Sequence, residues 1–243
     1  MKDIVAIIPA RYASSRFPGK PLAKIHDKPM IQWVYESIKN IDGIKAVYVA
    51  TDDERILNKV SEFGGNAIMT SNKHKSGTDR ICEALNKIEG NVDIVLNIQG
   101  DEPMIKSEMV KSLIDAFKDE SVYMATLKKK LLNEDDINNH NIAKVITDCH
   151  DNAVYFSRST IPFNRDKIEE VEYYKHIGVY GYTKEFLNIF SNLPQSRLEV
   201  IEQLEQLRAI ENGYKIKVIE TKYESVGVDL QEHIDKVESL LQH

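Results

Sequence analysis

Five consecutive apolar residues, Ile4-Val5-Ala6-Ile7-Ile8, open the chain and stop at Pro9. An unbroken run of this length is the pattern of a strand covered on both faces, as in a parallel sheet with helices packed on either side. Similar runs recur at Ala46–Ala50, Ala67–Met69 and Ile94–Ile98. Between them the apolar residues follow helical spacing. Met30, Ile31, Val34, Ile38 and Ile41 open after Pro29, expected at the first helical position. Ile56, Leu57, Val60 and Phe63 lie between a capping Asp52-Asp53 and a stopping Gly64-Gly65, and Ile81, Leu85 and Ile88 mark a third helix. Alternation of this kind implies right-handed crossovers and a mostly parallel sheet.

The second half is less regular. Tyr123–Leu127, Lys144–Thr147, Ala153–Phe156 and Ile177–Tyr182 read as strands without long helices between them, hence as antiparallel additions or a small lobe on the sheet. Residues 131–142 are polar and read as loop. A long helix is expected from Leu198 to Asn212, with Leu198, Ile201, Leu204, Leu207 and Ile210 inward and Gly213 as its stop. Lys215–Glu220 reads as a late strand and Asp229–Leu241 as a terminal helix. The chain of 243 residues can therefore be one large α/β domain, or one domain with a smaller lobe.

Composition excludes some functions. A formal net charge of −6 lacks the basic excess of a nucleic-acid binder, and Lys128-Lys129-Lys130 is the one basic run. Cys82 and Cys149 belong to no C-x-x-C pair or Cys/His cluster, so reduced thiols are expected. The apolar opening is too short for a signal peptide or a membrane span. The expectation is a soluble cytoplasmic protein that engages neither membrane nor nucleic acid.

Four clusters can carry chemistry. Arg11, Arg16 and Lys20 fall within ten residues, in a loop at the carboxyl end of the first strand. An open α/β sheet takes ligands there, and three cations suit a triphosphate; the plain alternative is a solvated loop. Neither standard glycine-rich phosphate loop is present, so side chains must supply much of the grip. Asn97-Ile98-Gln99-Gly100-Asp101-Glu102-Pro103 follows the fourth strand. Its Asp101 is placed to hold magnesium, which takes one or two carboxylates plus phosphate oxygens, and a capping turn is the alternative. Ser76-Gly77-Thr78-Asp79-Arg80 offers donors at a helix start to an anion or a base edge, or is simply an N-cap. Asp229 is either a cap or a second metal carboxylate. His176 alone reads as a structural histidine, and Glu202, Glu205 and Gln206 read as a solvated face with an Arg208 partner.

In order along the chain, IIPARYASSRFPGKPL, ATDD, SGTDR, NIQGDEPM, YFSRSTIPF, KHIGVYGYT and LEQLRAIENG resemble the 3-deoxy-manno-octulosonate cytidylyltransferases, or CMP-Kdo synthetases. The resemblance runs from about residue 4 to about residue 230. It implies a three-layer, Rossmann-like (glycosyltransferase-A-like) nucleotidyltransferase fold over residues 1–243. Residues 1–120 would mainly bind nucleotide, and residues 121–215 would form a small sugar-binding and dimerisation lobe. The activity implied is magnesium-dependent transfer of CMP from CTP to an eight-carbon 3-deoxy sugar acid by a homodimer, for lipopolysaccharide or capsule synthesis.

Carried over residue by residue, Arg11, Arg16 and Lys20 would grip the triphosphate. Ser76, Gly77 and Arg80 would line the cytidine pocket, and Asp101 and Asp229 would hold magnesium. Gln99 would stand at the join between the substrates. Arg165 would pair with the sugar carboxylate, and His176, Tyr180, Glu205 and Gln206 would hold sugar hydroxyls. Lys20, Arg11 and Asp101 would carry catalysis. Two segments depart from the family pattern: Gly227-Val228-Asp229-Leu230-Gln231 lacks the usual Thr-Pro after Asp229, and Arg197 stands where many members have proline. Open alternatives are the same transfer to 8-amino-3,8-dideoxy-manno-octulosonate or another sugar acid, a UTP-dependent transfer to a sugar phosphate, and a silent nucleotide-binding module.

Overall fold

The structure, a computed structural model, describes residues 2–13, 17–228 and 230–241. Arg16 and Asp229 lie outside the described residues. In chain order, strand β1 (Ile4–Ala10) leads through a 3-10 turn at Lys20–Leu22 to the small hairpin β2 (Lys24–Ile25) and β3 (Lys28–Pro29). Helix α1 (Met30–Ile38), β4 (Ile44–Thr51), α2 (Glu54–Glu62), β5 (Asn66–Met69), α3 (Gly77–Leu85), β6 (Ile94–Asn97) and α4 (Ser107–Ala116) complete the alternating half. Then come β7 (Met124–Leu131), α5 (Glu134–Asn138), β8 (Lys144–Thr147), β9 (Ala153–Ser157) and β10 (Tyr173–Thr183). The chain ends with α6 (Lys184–Asn192), α7 (Arg197–Glu202), α8 (Leu207–Glu211), β11 (Lys217–Glu220) and α9 (His233–Leu241).

Nine of these strands form one mixed sheet, in the order β11-β7-β10-β6-β1-β4-β5, with β8 and β9 attached beside β10. Strands β6, β1, β4 and β5 are mutually parallel, and β10 runs antiparallel to both β6 and β7. The apolar run of β1 is buried on both faces, as its composition requires. One face of the sheet packs α1, α2 and α4 through Val34, Ile56 and Val110; the other packs α3, α6 and α8 through Ile81, Phe186 and Leu207. These are the three layers expected. A small third cluster, Ile25, Met30, Val228 and Val237, ties α9 and the segment before it against the β2–β3 hairpin.

The capping signals hold. Asp53 caps α2, with its Oδ1 accepting from Arg55 N at 2.9 Å, and Ser76 caps α3, with its hydroxyl accepting from Asp79 N at 3.1 Å. Four expectations need correction. Pro29 is the N-cap of α1, with extended ψ, and not its first helical residue. Residues 131–142 contain the end of β7 and the short α5, capped by Asn133. The terminal helix begins at His233.

The long helix over 198–212 is broken into α7 and α8. Gln203 adopts a left-handed conformation (φ 54°), and the helical period resets there. Ile201 is consequently 64% exposed, whereas Glu199, Gln206 and Arg208 are buried. In one continuous helix that buried Leu204 and Leu207, Gln206 would face the opposite way. The break is what turns it inward.

Candidate active site

Three segments distant in sequence meet at the carboxyl end of β1. The first is the turn that Gly19 opens at positive φ, which brings Lys20 under the end of the strand. The second is the loop after β6. Its Gly100 lies so close to β1 that a Cβ would sit 3.0 Å from the Pro9 carbonyl oxygen, a backbone atom that cannot yield. The third is the chain before α9. Lys20 Nζ donates to Asp101 Oδ2 at 2.6 Å and to the Val228 carbonyl at 2.9 Å. Val228 N in turn donates to the Asp101 carbonyl at 2.8 Å. Among the described residues, Asp101 Oδ1 carries no hydrogen bond.

A cleft opens above this junction. It is lined by Pro9–Arg11, Lys20, Pro21, His74–Gly77, Arg80 and Gln99–Asp101. Its rim is cationic: Arg11 and Lys75 are exposed on it and Lys20 lies at its base. The α3 N-terminus adds its unpaired first-turn N–H groups and the positive end of its dipole. Arg80 is 3% exposed. It donates to Asp52 Oδ2 at 2.8 Å and to Thr70 Oγ1 at 2.6 Å, so it clamps the ends of β4 and β5 beneath the cleft while bordering it.

A second wall adjoins the first. Gln99 Nε2 donates to the Gly178 carbonyl at 3.0 Å and to Asn97 Oδ1 at 3.2 Å, linking the β6 loop to β10. Tyr180 sits opposite Asn97 in the β6–β10 pairing. Because β10 is antiparallel to β6, its residues before Tyr180 overhang the end of β6, and His176 projects from that overhang. The imidazole packs edge-on to Phe156, with ring centroids 5.0 Å apart, and lies 5.4 Å from Tyr180. Desolvation in these surroundings holds His176 down to about 3, so the ring is neutral. Burial also pushes the Tyr180 and Tyr182 hydroxyls well above their ordinary range.

Glu205 and Gln206 complete this wall from the α7–α8 break. Thr78 Oγ1, in the first turn of α3, donates to Glu205 Oε2 at 2.5 Å. Burial raises the Glu205 carboxyl, opposed first by that hydroxyl. Glu205 Oε1 and Gln206 Nε2 are both buried without a hydrogen-bond partner among the described residues. A buried acceptor and a buried donor left without hydrogen bonds are costly in a native interior and mark a surface that a polar ligand completes. Arg208 holds this corner. Its Nε and Nη2 donate to Glu199 at 2.9 and 2.6 Å, and Nη2 lies 3.6 Å from Glu205 Oε1. The solvated face read from helical spacing is therefore corrected at Gln206 and Arg208, and the chief partner of Arg208 is Glu199.

Arg11, Lys20, Ser76, Gly77, Arg80, Gln99 and Asp101 thus border one cleft, with His176, Tyr180, Glu205 and Gln206 on the adjoining wall. Arg165 is not brought in: it lies exposed in the segment between β9 and β10, without an ion pair among the described residues. Arg197 is likewise exposed, at the start of α7. Among the described residues no cluster of three or more His, Cys, Asp or Glu side chains forms a metal cage. Lys75 on the cleft rim and Thr126, whose Oγ1 lies 3.0 Å from His176 Nε2, were not among the residues singled out from the sequence. Lys75 could have been found, since it adjoins the Ser76 cap; nothing local signals Thr126.

A cytidylyltransferase family profile matches residues 5–217. The 3-deoxy-manno-octulosonate cytidylyltransferase of Thermodesulfovibrio yellowstonii is 54% identical, over 98% of this chain and 97% of its own length. That of Fusobacterium nucleatum is 52% identical, over 96% and 94%. Among solved structures, a CMP:2-keto-3-deoxy-manno-octonic acid synthetase complexed with CTP superposes with a TM-score of 0.95 at 43% identity, covering 99% of both chains. The 4-diphosphocytidyl-2C-methyl-D-erythritol synthase of Anaerococcus prevotii shares the fold, with a TM-score of 0.66 at 16% identity.

Proposed function

The chain belongs to the 3-deoxy-manno-octulosonate cytidylyltransferases, and on that premise we propose how its cleft divides the work. The reaction is transfer of CMP from CTP to the anomeric hydroxyl of 3-deoxy-manno-octulosonate, with release of pyrophosphate. Arg11 and Lys20, joined by Arg16 from the same loop, take the triphosphate, which favours cationic side chains and the helix N-terminus beside them. Ser76, Gly77 and Arg80 border the cytidine. Gln99, tied to β6 and β10 at once, stands between nucleotide and sugar.

The sugar lies against His176, Tyr180, Glu205 and Gln206, where the orphaned Glu205 Oε1 accepts from one hydroxyl and Gln206 Nε2 donates to another. Arg165 reaches the sugar carboxylate only if its exposed segment folds over the bound substrate. The transfer asks for alignment of the acceptor oxygen with the α-phosphate and for spreading of charge, which is what such a rigid cationic cleft supplies. Hydrogen bonds from Lys20 to Asp101 Oδ2 and the Val228 carbonyl fix its ammonium beneath the phosphates.

Magnesium fits the residues present. Asp101 borders the cleft with Oδ1 unbonded among the described residues, and this ion takes one or two carboxylates plus substrate oxygens. Asp101 and Asp229 would hold it, and once bound it would neutralise charge on the departing pyrophosphate. We further propose a homodimer built on the 121–215 lobe, whose Leu132, Phe163, Ile168 and Ile201 are exposed apolar side chains. No helix among the described residues is long and apolar enough to cross a membrane, and two free thiols suit the cytoplasm, where CTP is made available.

The observation that carries this reading is the Lys20–Asp101 contact at 2.6 Å, which joins the cationic turn to the acidic loop inside one cleft. Replacing Asp101 by Asn should cut pyrophosphate release from CTP and the sugar acid by roughly a hundredfold or more, with far-UV circular dichroism unchanged. Turnover equal to that of the unaltered protein would refute it.

A further inference from the structure

Thr126 is the third residue of β7 and is fully buried. It stands opposite the point where the β7–β10 register shifts, between Ile177 and Tyr180. At such a bulge the ladder is interrupted and carbonyls turn toward side chains. Thr126 Oγ1 is 2.9 Å from the Val179 carbonyl oxygen, 3.1 Å from that of Ile177 and 3.0 Å from His176 Nε2.

A hydroxyl has one proton. The two carbonyls can only accept, so the proton of Thr126 points at them. The lone pair left toward His176 can only accept, and Nε2 must therefore carry the proton of a neutral ring. The other ring nitrogen, Nδ1, has no hydrogen-bond partner among the described residues. A bare Nδ1 is an acceptor, and the wall otherwise supplies the orphaned acceptor Glu205 Oε1 and the orphaned donor Gln206 Nε2.

We propose that Thr126 is a positioning residue that fixes His176 in its Nε2–H tautomer, leaving Nδ1 to accept a hydrogen bond from a hydroxyl of the sugar acid. This rests on the reading of His176 as part of the sugar wall. Thr126 itself touches no substrate. It acts through the ring, and it does so with the same oxygen that answers the bulge carrying that ring.

The test reads the tautomer first, without substrate. In protein labelled with 15N at histidine, the side-chain resonances of His176 should show a protonated Nε2 and a bare Nδ1. A protonated Nδ1 overturns the proposal before any variant is made. Thr126→Val, nearly isosteric but without the hydroxyl, should give a mixture of tautomers, and Thr126→Ser should restore the single form. In steady-state assays Thr126→Val should raise KM for the sugar acid about three- to tenfold, the worth of one hydrogen bond, while KM for CTP stays unchanged and Thr126→Ser reverts it. A purely structural role would instead move both KM values together or leave the tautomer alone, and either result rejects the proposal. His176→Ala separates the two layers of the argument. If it leaves the sugar KM untouched, the sugar-wall reading of His176 falls and the proposal falls with it. If it raises that KM while Thr126→Val does not, only the assignment to Thr126 is wrong.

Discussion

Removing Arg208 tests whether the corner that carries Glu205 is held by charge or merely by shape. The pair with Glu199 is buried, at 9% and 6% side-chain exposure, and is joined by two parallel hydrogen bonds. Truncating one member of such a pair strands the other charge in a poorly solvating interior, which costs several kcal/mol. After Arg208→Met, Glu199 keeps, among the described residues, the Ser196 backbone N–H at 3.0 Å. The expected loss is about 3 kcal/mol. Glu199→Met leaves Arg208 with Glu205 at 3.6 Å and with the Phe190 ring, 5.2 Å from its guanidinium carbon to the centroid. That variant should lose less, about 2 kcal/mol. The double replacement removes both charges and fills the space with apolar volume, so it should return to within about 2 kcal/mol of the parent. Urea unfolding at one fixed protomer concentration gives all four values, since any association contributes to each alike. Additive losses in the double variant would refute the ion-pair account. The same replacement reaches the site. Arg208 opposes the burial-driven rise of Glu205, so without it Glu205 should ionise at higher pH and the pH profile of the sugar KM should move upward.

Two further outcomes follow from the same wall. His176 is held to about 3 when folded, against 6.5 in an open chain. Between those values the unfolded chain binds a proton that the native one refuses, so stability is complete above pH 6.5 and is lost as pH falls. The loss is about 1.4 kcal/mol per unit, or about 2 kcal/mol from pH 7.5 to pH 5. His176→Asn should flatten the acid limb of the stability curve by that amount, and parallel curves for the two proteins in urea titrations would contradict the neutral ring. Gln206→Met should remove an orphaned buried donor and stabilise the chain by about 1 kcal/mol while raising KM for the sugar acid. A stabilised variant with unaltered sugar kinetics would show that Gln206 faces no substrate.

What the sequence made legible was whatever depends on near neighbours. The buried strands, the Asp53 and Ser76 caps and the placement of Lys20 and Asp101 at strand ends all follow from runs a few residues long. The break at Gln203 did not, because a left-handed non-glycine residue is locally unfavourable and is tolerated here by what it buries. With it went the true orientation of Ile201, Gln206 and Arg208. Glu205 and Gln206 entered the candidate site only through the family resemblance, since helical spacing placed them in solvent. Thr126 and His176 are 50 residues apart and meet through a strand pairing that no local pattern encodes.

The division of the site into two unlike walls comes from a single strand direction. Every strand from β6 to β5 ends at the same side of the sheet, so what stands over that side is loop: the Lys20 turn, the Asp101 loop and the approach to α3. Strand β10 runs the other way. Its Thr183 pairs with the start of β6 and its Tyr180 with the end, so the chain from Tyr173 to Val179 continues past β6 as strand, still paired with β7. The nucleotide side is therefore assembled from loops pinned by Lys20, and the sugar side from the face of a paired strand. Loops pinned by ion pairs can shift to follow a triphosphate as charge moves, whereas side chains on paired strands hold their positions and suit discrimination between hydroxyl patterns. On this argument, selectivity for the sugar acid resides in residues of β10 and of the α7–α8 break, and turnover in the loops around Lys20 and Asp101.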